Sequence, residues 1–571
     1  MNIEEINKKQ EEEYRKCLKA ILSSSANKKI IVAGPGTGKT SIFKSLLDQN
    51  RTSGNLVMTF IRKLTSDMEE KLGDKAEVKT FHAYCKKILH KQVGEIELVP
   101  YLPKIIKKDA AILEKDLNDF DTKLRTLDER SPEISFYLER GDYYKTIGFD
   151  DSVYRVLKLA QNDGRVLPMF NQILIDEFQD FNRLEVAFIN ELEKRGNILL
   201  VGDDDQAVYD NRSSSPDYIR DKYNSGQYVI FELPFSFRCT KVIIDSVNLI
   251  IQEAQKLGKL KGRIDKKIEC FLPKKEKDSN KYPRIIFAQC SVLKTVAKFI
   301  EKEISNIDQS EIIESNDEKE GYPTVLIIGQ KQYLKTVYDV LSKKYRHISF
   351  KPSEGVEYSP ADAYELLKQD DNSNLGWRVL IEFFNKRTLK RIIKKTEDGK
   401  LMFVDAIGKG FIKRHKQALK YLRDYKNGQK LSTENTQYLK NILRSFYKKT
   451  IRSFTPIKKE EKKFEKDEPT IILTSRKGCK GLSAGFVFIL GINNREFPRK
   501  SQDPSDIEIA ELIVGLSRTR KCCYFISNKW LISPIDSQRS WRDERKPSMF
   551  ISWIPKNFIQ NRGYIRAKDI E

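Results

Sequence analysis

Residues 30 to 33 line up four apolar side chains, Ile30, Ile31, Val32 and Ala33. The glycine-rich run GPGTGKT follows, and after it Ile42, Phe43, Leu46 and Leu47 recur at helical spacing. An unbroken apolar run of this length predicts a strand buried on both faces, and the second pattern predicts an amphipathic helix, so the glycines occupy a strand-to-helix turn. Strand signals return at Gln172–Ile175 and Ile198–Val201, separated from the first by a charged, largely helical stretch from about 91 to 165. A second α/β region is expected to begin near Val229 and to include Thr324–Gly329. Lys- and Arg-rich helical sequence runs from about 361 to 455, and strands return at Thr470–Leu473 and Gly485–Leu490. The charged, apolar-poor stretches 272–284, 307–323 and 454–469 read as loops or linkers. The fold class is α/β with helical insertions, and 571 residues exceed what one core can organise.

Composition narrows the partners. A formal charge of +23, from 104 Lys and Arg against 81 Asp and Glu, makes a polyanion such as nucleic acid the expected ligand. The longest apolar runs, such as FVFILGI, fall well short of the ~18 residues of a membrane span. The charged N-terminus MNIEEINKKQEEEYRK has no signal-peptide core. A cytoplasmic location is therefore expected, with no membrane partner. Eight cysteines without a C-x-x-C pair are expected to be free thiols rather than zinc ligands or disulfides.

The turn at 34–40 has the chemistry of a phosphate cradle. Gly34, Gly36 and Gly38, with Pro35 and Thr37 between them, let backbone N–H groups converge on an anion. Lys39 can reach β and γ oxygens, and the Thr40 hydroxyl, next to Ser41, can ligate Mg²⁺. Ala33 occupies the first position of the G-x-x-x-x-G-K-[ST] pattern, a small-residue substitution. ILIDEFQDFN (173–182) then places Asp176 and Glu177 at the end of an apolar strand. Beside a phosphate loop, Asp176 would steady the metal and Glu177 would orient the attacking water. ILLVGDDDQAVYDNR (198–212) repeats the strand-acid arrangement, with Gln206 placed to sense a γ-phosphate and Tyr209 and Arg212 further on.

Taken in order, these pieces resemble the UvrD/Rep branch of superfamily 1 DNA helicases. INKKQ (6–10) is similar to the Q motif, with Gln10 as the adenine reader, and AGPGTGKT is similar to motif I. TFIRKLTSDM (59–68) and TFHAYC (80–85) resemble motifs Ia and Ib, DEFQD (176–180) motif II and VGDDDQAVY (201–209) motif III. LPFSFR (233–238), KGCKGLSAGFVFILGINNREFP (477–498) and IVGLSRTR (513–520) resemble motifs IV, V and VI.

The resemblance implies two RecA-like P-loop domains with ATP between them. Gln206 senses the γ-phosphate, and Arg238 and Arg518 reach it from the far side. Phe60, Arg62, Lys63, His82 and Tyr209 are implied to contact a single strand. The implied division places RecA-like domain 1A at 1–90 and 166–235, helical insertion 1B at 91–165, and domain 2A at 236–360 and 461–571. A reduced, basic 2B-like insertion fills 361–460. Departures accompany the match: Asn211 stands where relatives carry a base-stacking aromatic, Ser483 replaces an acidic residue of motif V, and Ser236-Phe237 stands for the frequent Asn-Tyr. The expected activity is 3′-to-5′ translocation and unwinding driven by ATP and Mg²⁺. The alternative is a DNA-sensing ATPase subunit that regulates a partner nuclease, as in some bacterial anti-phage systems. The motifs do not separate DNA from RNA, because none reads the 2′-hydroxyl.

Overall fold

The computed structural model describes residues 3–49, 54–59, 62–317, 321–351, 357–455, 467–532 and 542–570. Six parallel strands form a first sheet: β1 (Lys28–Ala33), β2 (Asn55–Thr59), β3 (Glu77–Thr80), β4 (Gln172–Ile175), β5 (Asn197–Gly202) and β6 (Val229–Leu233). Their order is β3-β2-β4-β5-β1-β6, so β1 is flanked by β5 and β6. β1, β2 and β4 are buried almost throughout, as their near-continuous apolar sequence requires of strands covered on both faces. The expectation that a second α/β region begins near Val229 is corrected here. β6 pairs with β1 from Lys29–Val229 to Ala33–Leu233, so this strand completes the first sheet.

A second sheet of seven parallel strands comprises β7 (Ile285–Cys290), β8 (Val325–Ile328), β9 (Ile348–Lys351), β10 (Ile471–Thr474), β11 (Ala484–Leu490), β12 (Thr519–Asn528) and β13 (Ile559–Ile565), in the order β9-β10-β8-β11-β12-β7-β13. Each sheet is clothed by helices on both faces, giving two RecA-like α/β units. Two stretches expected to be loops are helical in part, Leu272–Lys281 within 272–284 and Gln309–Ser315 within 307–323. Charge hid them. The first opens with Pro273 in its first turn, where a missing N–H costs nothing, and Lys275 is buried, donating to Asp278 at 2.6 Å and to the Arg520 carbonyl at 3.1 Å. Of the third stretch, 456–466 lies outside the described residues.

The two helical insertions share one core, which periodicity did not foresee. Leu102, Ile105, Ile106, Phe120 and Tyr137 of the first pack with Tyr364, Trp377, Leu380, Ile392 and Leu422 of the second. A fully buried ionic cluster sits at their junction. Arg378 forks onto Asp109 Oδ1 at 2.9 and 2.8 Å, Arg140 reaches Asp109 Oδ2 at 3.3 Å, and Tyr144 donates to the same oxygen. Arg378 also pairs with Glu382, which accepts from Tyr358 at 2.7 Å. The expected basic character of the second insertion is marked. Residues 386–452 carry 20 Lys and Arg against 5 Asp and Glu, about two-thirds of the chain's net charge of +23, a balance that favours a polyanion.

Candidate functional site

β1 ends at Ala33 and the helix Lys39–Gln49 begins six residues later, so 34–38 must turn sharply. Gly36 and Gly38 adopt φ of 72° and 84°, a region that L side chains rarely enter. Thr37 Oγ1 donates to the Gly34 carbonyl at 3.0 Å, and the Ser41 N–H donates to Gly38 at 2.9 Å, closing the loop onto the helix. The amides of Lys39 and Thr40 open the helix, where N–H groups have no intrahelical acceptor and the helix dipole favours an anion. Phe237 N–H donates to the Gly36 carbonyl at 2.9 Å, and a Cβ at Gly36 would lie 2.5 Å from the Arg238 Cβ. LPFSFR therefore packs directly on the phosphate loop.

Asp176 and Glu177 follow β4, and Glu177 takes a left-handed φ of 54° that turns its side chain back to the cleft. Lys39 Nζ lies 4.0 Å from Glu177 Oε1, Lys480 Nζ lies 3.6 Å from Oε2, and Gln179 donates to Oε2 at 2.6 Å. Burial opposes the Glu177 charge, but Lys39, Lys480, the Gln179 amide and Arg518 outweigh it and hold the carboxyl below its usual range. Asp176 is driven the other way, by burial first and then by the Glu177 charge, against Lys39. A buried carboxylate held above its usual range gains from a cation beside it. The hard oxygens of Asp176 and Thr40 suit Mg²⁺.

The far wall comes from the second unit. Arg518, 4% exposed, donates from Nη2 to Gln206 Oε1 at 2.9 Å, while its Nε and Nη1 bond the carbonyls of Val514 and Leu482 at 3.0 and 3.3 Å. Arg238 donates to the Ser517 carbonyl at 3.3 Å. Burial, then Arg518 and Arg520, hold its guanidinium below its ordinary value. Two cations this close to Lys39 and Lys480 suit a polyphosphate. Gln206 also donates to Asp203 Oδ2 at 2.7 Å, and Lys480 donates to the Gln206 carbonyl at 2.7 Å and pairs with Asp180 at 2.6 Å. No local pattern singles out Lys480. Its position in KGCKGL was visible, but its partners lie 274 and 300 residues away, beyond any local pattern.

Gln10 comes from the opening helix Ile3–Ser23 and is buried. Its Nε2 donates to the Cys270 carbonyl at 3.1 Å and its Oε1 accepts from Leu272 N–H at 2.9 Å. Tyr14, Phe237 and Phe271 gather beside it, with ring centroids 4.9, 5.8 and 4.5 Å apart pairwise. Ser483 accepts from Arg520 Nε at 3.1 Å, so an arginine faces the place of the expected carboxylate.

A cavity of about 1040 Å³ opens where β3 meets the first insertion, lined among others by Lys79, His82, Tyr101, Lys107, Arg125 and Arg212. His82 stacks on Phe149 with centroids 4.7 Å apart. Tyr209 is directed elsewhere, donating to the Lys477 carbonyl at 3.4 Å with the Lys480 ammonium 5.6 Å from its ring. Phe60 lies outside the described residues, and Arg62 and Lys63 open the helix Arg62–Leu72. All eight cysteines are free thiols. Among the described residues no helix is long and apolar enough to cross a membrane.

Residues 18–212 match the AAA domain family. The chain is 23% identical to a probable DNA helicase II homolog of Mycoplasma genitalium, covering 94% of this chain and 87% of that protein. It is 21% identical to DNA helicase II of Haemophilus influenzae, over 93% and 85%. It is also 23% identical to the ATP-dependent DNA helicase Rep of Buchnera aphidicola, over 93% and 95%.

Proposed function

From the premise that this chain is a UvrD/Rep-like member of helicase superfamily 1, we propose that it is an ATP-dependent DNA helicase that moves 3′-to-5′ on single-stranded DNA. The contact between Gln206 and Arg518, made across the seam of two units beside Lys39 and Glu177, supports the ATP-driven part of this reading most directly. A γ-phosphate in this cleft would replace protein–protein contacts of Arg518 and Arg238 with contacts to developing charge. Hydrolysis would then require a closed cleft, and product release would let it reopen.

Each residue has a physical task. The 34–38 loop and the amides of Lys39 and Thr40 hold the phosphates, with Pro35 and Ser41 shaping the two ends of the turn. Lys39 neutralises the terminal phosphate, Gln10 lies at the base end, and Glu177 orients the attacking water and accepts its proton. Mg²⁺, held by Thr40 and Asp176, would screen phosphate charge when bound. The strand would run through the cavity beside β3, where His82, Tyr101 and Phe149 offer rings and Lys79, Lys107, Arg125 and Arg212 offer charge, a mixture suited to sequence-independent binding. Duplex or further strand would lie on the basic surface of 386–452.

Strand displacement on 3′- and 5′-tailed duplexes, with ATPase measured in parallel on DNA and RNA, tests this. ATP-driven displacement from the 3′ tail supports it. Displacement only from the 5′ tail, or DNA-independent hydrolysis, overturns it. A second reading is favoured by Asn211 and by the Ser483–Arg520 pair, which replace family features. In it, strand-stimulated hydrolysis regulates a partner nuclease, and ATPase without displacement would select it.

A further inference from the structure

After the helix Lys241–Lys256 the chain crosses the seam between the two units and fastens itself at both ends. At one end Lys259 Nζ meets Asp503 Oδ1 at 2.5 Å and Leu260 N–H donates to Asp506 Oδ1 at 3.1 Å. Asp506 opens the helix Asp506–Leu516, and that helix leads straight to Arg518. At the other end the strap meets the acidic run 203–205. Arg263 forks onto Asp205 at 2.8 and 2.9 Å, and Ile264 N–H donates to Asp204 at 2.9 Å. Lys266 sets a buried ammonium among all three carboxylates, 2.9 Å from Asp203 Oδ1, 2.8 Å from Asp205 Oδ2 and in contact with Asp204. Arg220 completes the balance, reaching Asp204 at 3.0 Å and the Lys261 carbonyl at 3.0 Å.

Three buried anions against three cations are not what stability alone selects, since well-packed apolar groups of equal volume usually serve as well or better. What the cluster fixes is an orientation. A glutamine amide offers a donor at one end and an acceptor at the other; Arg518, which only donates, selects the oxygen, and an acceptor at the amide nitrogen is needed to hold the side chain in that place. Asp203, which as a carboxylate only accepts, takes the Gln206 Nε2 at 2.7 Å and so commits Oε1 to Arg518 at 2.9 Å. Lys266 in turn holds the other oxygen of Asp203.

We propose that Lys266 is a positioning residue for nucleotide hydrolysis, acting through Asp203 to hold Gln206 toward Arg518, while the strap 259–266 keeps the helix that leads to Arg518 in register with it. This rests on the ATPase function proposed above. A displacement of one ångström at a reacting group costs on the order of 10²-fold in rate. Lys266→Gln is therefore expected to lower strand-stimulated kcat by about 10²-fold while KM for ATP stays within about threefold, because the phosphate loop and Lys39 are untouched. Lys266→Arg, which keeps the charge, is expected to recover at least about a tenth of the wild-type kcat.

Unchanged kcat in a folded Lys266→Gln protein overturns the proposal. So does a parallel loss of kcat and ATP binding that Lys266→Arg fails to repair, since that pattern marks a structural role only. If Lys266→Gln does not fold, Arg263→Gln, which touches the same clasp at Asp205, decides the matter. A several-fold fall in kcat at constant KM supports the clasp, and wild-type kcat rejects it. Absence of turnover by the wild-type chain would instead remove the ATPase function itself.

Discussion

Arg518 and Gln206 are 312 residues apart and meet at 2.9 Å, the guanidinium of one unit donating to the amide oxygen of the other. The same guanidinium is anchored by the carbonyls of Val514 and Leu482, so it cannot move without moving the unit that carries it. A charge placed between these partners is thereby felt as a force between the two sheets.

Arg518→Ala should lower DNA-stimulated kcat by about 10³ or more, the effect of removing an arginine that stabilises phosphoryl-transfer charge. Single-strand affinity measured without nucleotide should barely change, because Arg518 lies in the cleft and not in the cavity beside β3. Steady-state ATPase together with fluorescence anisotropy separates the two. Equal losses in both would indicate misfolding rather than a lost contact.

Glu177→Gln keeps the shape of the side chain and removes the carboxylate proposed to accept the water's proton. ATP binding should persist while turnover disappears. Lys39→Ala should fail one step earlier, at nucleotide binding, because it removes the ammonium 4.0 Å from Glu177 that is proposed to neutralise the terminal phosphate. Equilibrium binding of a labelled nucleotide and single-turnover hydrolysis distinguish the two variants. Wild-type turnover in Glu177→Gln would contradict its assignment as the water-orienting base.

Removing one partner from a fully buried ion pair costs about 3–5 kcal/mol, since the other charge is left uncompensated. Arg378→Met should therefore destabilise the shared core of the two insertions by about that amount, leaving Asp109 with the more distant Arg140 and the Tyr144 hydroxyl. Urea unfolding followed by the fluorescence of Trp377, which lies in that core, in a background with Trp530, Trp541 and Trp553 replaced by Phe, reports on it. A midpoint equal to wild type would mean that the insertions are held together by apolar packing and not by the cluster.

Asn211 lies in the short turn Asp210–Arg212, next to an arginine that lines the cavity. Stacking one base on an aromatic side chain is worth about 1–3 kcal/mol, so Asn211→Trp should tighten single-strand binding, most visibly in high salt. The wild-type chain, relying on its basic surface, should lose about 10³-fold in affinity between 50 and 200 mM salt if it neutralises six or more phosphates. Identical affinities for Asn211→Trp and wild type across a salt titration would place position 211 off the strand's path.

Local sequence was sufficient wherever the physics is local. The strand of four apolar residues at 30–33, the glycines that tolerate φ of 72° and 84°, and the carboxylates that end β4 and β5 are all fixed by neighbours a few positions away. That is why the phosphate loop, Asp176, Glu177 and Gln206 could be singled out by pattern, and why order along the chain was enough to point to a family. Charge masks one helix in the local pattern. Leu272–Lys281 looks like linker because its lysines are many, and only the fold brings the Arg520 carbonyl, 245 residues away, to Lys275.

What tertiary structure alone decided is which distant residues share a site. Nothing near Lys480 in the chain foretells that it pairs with Asp180 and bonds Gln206, and nothing near Asp109 foretells Arg378. The edge strand Val229–Leu233 likewise carries no mark of which sheet it joins, since hydrogen-bonding partners along a sheet are chosen by packing and not by local propensity. Buried charges are stable only where opposite charges meet them, and such meetings are set by how the two sheets and their insertions close on one another. The sequence thus determined the glycine-rich turn and the strand-end carboxylates proposed to hold phosphate, while the closure of the fold determined which side chains reach across to meet them.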